Sequence, residues 1–260
     1  MYENGLRLDG KIALIVGASS GIGFEVAKEF AVQGADVTIL ANDPAVEKAA
    51  AEIKKCTCRP VSHILCDVTD RPELKRKLAP FARIDLLIHN AGYERLTPLV
   101  DSGDEVEVAF HRIVDVNLFG AYYVTREVAP RMPDGGRIIY TASTYSKYAI
   151  ARMSGYASSK HALVGMMRSF SHELGSRRIT VNAVCPGWVN TEFSNRSVRE
   201  IAAETGRTFQ DVGNDVLSLQ AIAGHLEPRD IVGGYLFLAS DLAKDVSGQT
   251  IHIDRGEYQS

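Results

Sequence analysis

A doubly wound α/β sheet, with seven mostly parallel strands and helices on both faces, is what the sequence predicts, on three observations. Apolar, β-branched runs alternate with longer segments of helical period. Most of these runs are near-continuous in apolar residues, as strands buried on both faces require. The first run leads directly into a glycine-rich turn and then an amphipathic segment.

Taken in order, the runs predict strands at Lys11–Val16, Asp36–Ala41, Val61–Cys66, Ile84–His89, Gly136–Ala142, Arg178–Val184 and Thr250–Ile253. After the first strand, Ile22, Val26 and Phe30 recur at i, i+4 and i+8, with Ala27 and Ala31 beside them. A later helix carries Leu163, Met167, Phe170 and Leu174 on one face. Parallel strands joined through helices imply right-handed crossovers. No linker or low-complexity tract interrupts the pattern, so residues 1–260 are expected to form one domain. The polar, weakly periodic stretch Glu192–Glu227 is expected to be a helical insertion or a mobile lid within it.

The bulk numbers exclude several function classes. A chain of 260 residues with 45% hydrophobic residues can bury a large core without disulfides or a structural metal. A formal net charge of −3 gives no electrostatic basis for nucleic-acid or membrane-surface binding. No apolar run approaches the roughly 20 residues of a membrane span. Met1 to Gly10 has neither a basic n-region nor a cleavage site, so no signal peptide is expected. Cys56, Cys58, Cys66 and Cys185 have no metal-ligand spacing and read as reduced thiols of a cytoplasmic protein. No metal site is expected.

The turn after the first strand reads Gly17-Ala18-Ser19-Ser20-Gly21-Ile22-Gly23. Glycines there permit positive φ and let the backbone approach a pyrophosphate. The following helix offers free N–H groups and a partial positive charge, and Ser19 and Ser20 add hydroxyls. The spacing is G-x-x-x-G-x-G rather than the commoner G-x-G-x-x-G. Further on, Asn90-Ala91-Gly92 follows the fourth strand, Asn117 lies in a long helix, and Ser143 follows the fifth strand. Tyr156 and Lys160 form Y-x-x-x-K, Pro186-Gly187 follows the sixth strand with Thr191 shortly after, and Ser247-Gly248-Gln249 precedes the last strand. With these motifs in this order, the chain from about Leu8 to Gly256 resembles the single-domain short-chain dehydrogenases/reductases, which implies a Rossmann-like fold.

The chemistry of the residues agrees with that resemblance. Tyr156 and Lys160 are four residues apart, so on a helix they share one face. A free phenol, with pKa about 10, is a poor base near neutrality, and a neighbouring ammonium favours the phenolate. Lys160 is therefore expected to tune Tyr156 into a general acid/base for an alcohol or carbonyl oxygen. Ser143 can bond the same oxygen as charge develops on it. The resemblance implies Asn117, Ser143, Tyr156 and Lys160 as the catalytic set, with Asn117 holding a water on a proton path towards Lys160. It also implies a nicotinamide cofactor held by the glycine turn, by Lys160 and Tyr156, by Asp67 and Val68 at the adenine, by Asn90, Ala91 and Gly92, and by Pro186, Gly187, Val189 and Thr191. Asp67 by itself reads equally as a helix cap.

The end of the second strand bears on NAD against NADP. An acid there takes the ribose hydroxyls of NAD, whereas an arginine pairs the 2′-phosphate of NADP. Ala41 and Asn42 match neither pattern, and Ser20 is not basic. With no cation for the phosphate, the reading leans to NAD, with NADP as the alternative. Asp43 reaches the ribose or caps the next helix. The substrate is expected to be a small secondary alcohol or ketone, and the resemblance implies a cleft shaped by Tyr93, Glu94 and Arg95, by Tyr145 to Arg152, by Trp188 and by Phe193 to Leu219, with Trp188 reading nearly equally as a purely structural residue. Arg95, Lys147 and Arg152 are candidates for an acidic substrate group, although solvated charges are the plainer reading. Arg255 stands where the family commonly has glycine. The competing functions are a non-redox epimerase or dehydratase on the same fold and a catalytically silent nucleotide-sensing or scaffold protein. Enoyl reductases of related fold space Tyr and Lys more widely, so the resemblance argues against a C=C substrate. Second apolar faces on the helices of Asn117 and Tyr156 imply, by the same resemblance, a homotetramer.

Overall fold

The computed structural model describes residues 5–100 and 103–259. Seven strands form one sheet: β1 (Ile12–Val16), β2 (Asp36–Ala41), β3 (Val61–Leu65), β4 (Leu86–His89), β5 (Arg137–Thr141), β6 (Thr180–Pro186) and β7 (Thr250–Ile253). Their order is β3-β2-β1-β4-β5-β6-β7 and every pairing is parallel. The strands match the sequence reading to within two residues at each end. β6 departs most, starting later and running on through Cys185 and Pro186, because its pairing with β7 continues to Ile253.

The helices are α1 (Gly21–Val32), α2 (Ala45–Lys54), α3 (Arg71–Leu78), α4 (Asp104–Val114), α5 (Ala121–Val128), α6 (Ser154–Glu173), α7 (Glu192–Thr205), α8 (Phe209–Leu217) and α9 (Pro228–Ala239). They cover the sheet on both sides, and the period of two along each strand divides the core between them. In β1, Ala13 and Ile15 pack with Val26, Phe30 and Ile53 on one face. Leu14 and Val16 pack with Leu74, Val124 and Met167 on the other. β5 and β6 are buried along their whole length, whereas the edge strand β3 is half open to solvent.

Two segments depart from regular helix. Asp115–Gly120, joining α4 to α5, is π-helical, so Asn117 sits in a widened turn rather than mid-way along a plain α-helix. The stretch predicted as an insertion or lid consists of α7 and α8, tied back to the sheet where Asn190 N–H donates to the Leu226 carbonyl at 2.7 Å. Among the described residues, no helix is long and apolar enough to cross a membrane.

The strand order reverses between β1 and β4. The register sets Val16 beside both Leu40 and His89. The C-terminal ends of these strands therefore open onto a common crevice, where such sheets bind their ligands.

Candidate active site

The crevice is a cleft of about 560 Å³ floored by the glycine turn. Gly17 has φ +80°, and a Cβ there would lie 2.4 Å from the Ala91 nitrogen. A Cβ on Gly23 would lie 2.2 Å from the Gly17 carbonyl oxygen. The turn is thus pressed against the Asn90–Gly92 turn with no room for side chains. Asn90 fastens the two: its Nδ2 donates to the Gly17 carbonyl at 2.8 Å, and its Oδ1 accepts from the Thr141 hydroxyl at 2.9 Å. At the start of α1, Ser20 is extended and no side chain caps the helix. Its first-turn amides are left for a ligand.

Of the residues predicted to hold a cofactor, all but Gly23 line this cleft. Gly23 lies behind the turn, where its lack of a side chain lets the turn close. The cradle fits a dinucleotide: side-chain-free backbone, an uncapped helix start and a long crevice across the switch point are what a pyrophosphate needs. Asp67 does not cap α3; Asp70 does, accepting from Glu73 N–H. Burial opposes ionisation of Asp67, but bonds from Thr69 and Arg112 hold its carboxyl below the usual range. Asp43 accepts from Ala45 N–H at 2.9 Å, which bends the chain into α2.

The structure also brings a cation to the cleft that sequence reasoning missed. Arg112, on α4, lines it, contrary to the expectation that none would be present. Its guanidinium is engaged by Asp67 Oδ2 at 2.6 Å and by the Thr69 hydroxyl at 3.0 Å. Only long-range folding pairs residues 45 apart in the chain, so no local signal marked it.

Ser143, Tyr156 and Lys160 meet in the same cleft. Lys160 Nζ donates to the Thr141 carbonyl at 2.7 Å and lies 5.5 Å from the centre of the Tyr156 ring. Burial pushes the Lys160 ammonium down to about 8, against the opposing pull of Cys185 and Glu94. Tyr156 departs from expectation. Burial, and then the Glu94 charge, raise its phenol well above the ordinary value, while the Ser143 hydroxyl draws it back. Burial and the Glu94 charge thus work against the phenolate that Lys160 is expected to favour.

Asn117 is buried behind these residues and does not line the cleft. Its Oδ1 accepts from Tyr93 N–H at 2.7 Å, and its Nδ2 donates to the Tyr93 carbonyl and to Ser159 Oγ, each at 3.0 Å. It thereby joins the π-turn, the segment that follows Gly92 and α6.

Three further expectations are altered. Trp188 is not part of the cleft wall; its ring packs on Phe209, His225 and Gly213, holding α8. Arg95 and Arg152 are paired with Glu200 and Glu204 of α7. Arg255 has φ +56°, which explains why glycine suits the position, and its guanidinium donates to the carbonyls of Ala223 and His225. Glu94, expected to help shape the substrate cleft, is buried beside it and bonded to Ser197.

Comparison with known proteins agrees with this geometry. Residues 17–257 match the family described as "Enoyl-(Acyl carrier protein) reductase". The chain is 34% identical over 259 residues to a 3-oxoacyl-(acyl-carrier-protein) reductase of Thermotoga maritima, covering 96% of this chain and 99% of the relative. It is 31% identical to the D-beta-hydroxybutyrate dehydrogenase of Cupriavidus necator, covering 96% and 98%. Among solved structures, levodione reductase superposes with a TM-score of 0.89 at 26% identity, covering 96% of this chain and 98% of that one. A putative gluconate 5-dehydrogenase from Beutenbergia cavernae with bound NADP gives 0.86 at 28%, covering 97% and 98%. Carveol dehydrogenase from Mycobacterium avium, in complex with NAD, gives 0.87 at 27%, covering 96% and 98%. The chain belongs to the short-chain dehydrogenase/reductase family and is an NAD(P)-dependent oxidoreductase.

Proposed function

We propose that the chain interconverts a small secondary alcohol and its ketone, with Tyr156 as general acid/base. The observation that carries this reading is the meeting of Ser143, Tyr156 and Lys160 in one cleft floored by a glycine turn. The nicotinamide cofactor, when bound, supplies or accepts the hydride. Gly17, Ser19, Ser20, Gly21 and Ile22 would hold its pyrophosphate, Asn42, Asp67 and Val68 its adenosine half, and Ala91, Gly92, Pro186, Gly187, Val189 and Thr191 its nicotinamide half. Tyr156 gives its hydroxyl proton to the carbonyl oxygen in reduction and recovers it in oxidation. Ser143 donates a hydrogen bond to the same oxygen as charge develops there. Lys160, fixed on the Thr141 carbonyl, is placed to feed the proton back to Tyr156. Asn117 acts at one remove, by holding Tyr93 and Ser159 in place. The test is a panel of D-β-hydroxybutyrate, D-gluconate and ethyl 3-oxobutanoate with each cofactor; no turnover of any of them would count against this reading.

The preferred cofactor is NAD(H). Ala41 and Asn42 line the cleft at the end of β2 without charge, and Arg112 is already engaged by Asp67. A 2′-phosphate there would lose water without gaining a free cation. Isothermal titration should give NADH an affinity at least about tenfold higher than NADPH, or about 1.4 kcal/mol. Tighter binding of NADPH would show that Arg112 leaves Asp67 to take the phosphate.

The assembly is a homotetramer. Val108 on α4, Phe119 in the π-turn and Tyr122 on α5 present exposed apolar surface along one continuous helical stretch, with exposures of 67%, 44% and 36%. Such a stripe is commonly buried against a second copy. Light scattering should return four times the 28.4 kDa chain mass; a monomer at micromolar concentration refutes it.

A further inference from the structure

Glu94 is a buried acid beside the cleft. Only 7% exposed, it follows directly on the Asn90–Gly92 turn and Tyr93. Its carboxyl group accepts a hydrogen bond from the hydroxyl of Ser197, on α7, which is itself 6% exposed. Its backbone carbonyl accepts from Arg196 of the same helix at 2.7 Å. One turn away, α7 places the Phe193 ring 6.3 Å from that of Tyr156. A Cβ on Gly92 would stand 3.8 Å from the same Phe193 ring. α7 thus covers the reacting tyrosine, and Glu94, buried beside the cleft, grips α7 through its side chain.

We propose that Glu94 is a positioning residue whose carboxyl group, bonded to Ser197, latches α7 over the cleft and holds Phe193 against Tyr156. The proposal rests on the reading of Tyr156 as the reacting acid/base, and it adds a residue to that site which acts through others. A surface ion pair could not do this as firmly, because exposed pairs contribute little; the Arg95–Glu200 pair beside it is partly exposed on both sides. A buried hydrogen-bonded carboxyl is costly to leave unpaired, so opening the latch is opposed.

The surroundings of Glu94 make the latch sensitive to charge. Arg196 and Glu200 face it from α7, Lys160 and Tyr156 from α6, Tyr145 from the turn after β5, and Arg95 from its own segment. Burial pushes the carboxyl up to about 7, with Ser197, Arg196 and Lys160 opposing. Its charge in turn raises Tyr156. Glu94→Gln keeps an oxygen to accept from Ser197 but removes that charge. Glu94→Ala and Ser197→Ala both remove the bond.

The experiment joins amide hydrogen exchange over residues 192–205 to pH profiles of alcohol oxidation, for the full chain and its E94Q, E94A and S197A variants. Exchange needs no turnover, so it judges the latch even if the activity reading fails for the whole panel. E94A and S197A should exchange in α7 about tenfold faster, whereas E94Q should match the parent. Should E94A fail to fold, S197A carries the comparison. In oxidation, where Tyr156 must lose its proton, the rising limb of kcat/KM for E94Q should move about half a pH unit or more to lower pH. S197A should raise KM more than it lowers kcat. Unchanged α7 exchange in E94A and S197A overturns the latch, and an E94Q profile superposing on the parent overturns the charge coupling.

Discussion

Tyr156→Phe should reduce turnover by about 10²–10⁴-fold in both directions while changing cofactor affinity far less, because it removes a proton donor and one of the many groups that hold the cofactor. The ring would keep its packing. Tyr145 meets it edge-on at 6.2 Å, Phe193 lies at 6.3 Å, and the Lys160 ammonium stands 5.5 Å from its centre. The lost hydroxyl leaves behind the Ser143 hydroxyl, which still accepts from Tyr145 N–H and can turn its proton to water, so the stability change should stay within about 1 kcal/mol. A phenylalanine also ends the carboxylate-induced raising of a phenol, so any remaining activity should lose the pH dependence that Tyr156 confers. The readouts are single-turnover hydride transfer and calorimetric titration of the cofactor. Retention of more than a tenth of the parent rate would remove Tyr156 from the chemistry.

Gly23→Ala should destabilise the chain by about 1–3 kcal/mol and weaken cofactor binding more than tenfold, although helix propensity alone predicts the reverse. In an exposed helix interior, replacing glycine with alanine gains close to 1 kcal/mol. Gly23 lies in the first turn of α1 and has no positive φ, so its backbone tolerates alanine. The obstacle is packing. The new methyl would sit 2.2 Å from the Gly17 carbonyl oxygen, 2.8 Å from Asn90 Nδ2 and 3.0 Å from Ala18 Cα. Two of these three neighbours are backbone, and the third is the amide that straps the glycine turn to the Thr141 hydroxyl. Relief of the clash must move the turn and open that strap. Thermal melts should fall by roughly 2–4 °C for each kcal/mol lost in a chain of this size. Gly233→Ala on α9, whose added methyl meets nothing within 4 Å, is the control and should hold or gain stability. Equal melting temperatures for the two variants would show that the turn has slack which the close contacts conceal.

These two cases divide what was legible from what was not. The place of Tyr156 and Lys160 on one helix face follows from a spacing of four, and the glycine turn from its position between an apolar run and an amphipathic one. The NAD preference drawn from Ala41 and Asn42 rested on the same local logic, and it missed Arg112 because a helix 70 residues further on delivers that cation. The direction of the Tyr156 shift was likewise hidden. The sequence shows the nearby lysine, but burial outweighs it, and burial is a property of packed neighbours.

By itself the sequence determined the α/β alternation, the strands to within two residues at each end, the glycine turn and the spacing of the reactive side chains, because each is written in windows of a few to twenty residues where periodicity and backbone preference act. Tertiary structure alone decided that Asn117 joins Tyr93 and Ser159, 24 and 42 residues away, that Asn90 straps residues 73 and 51 away, and that Glu94 reaches Ser197 across 103 residues. Those contacts depend on which buried polar groups remain to be satisfied once strands and helices have packed, and a buried polar group takes the partner that folding brings to it.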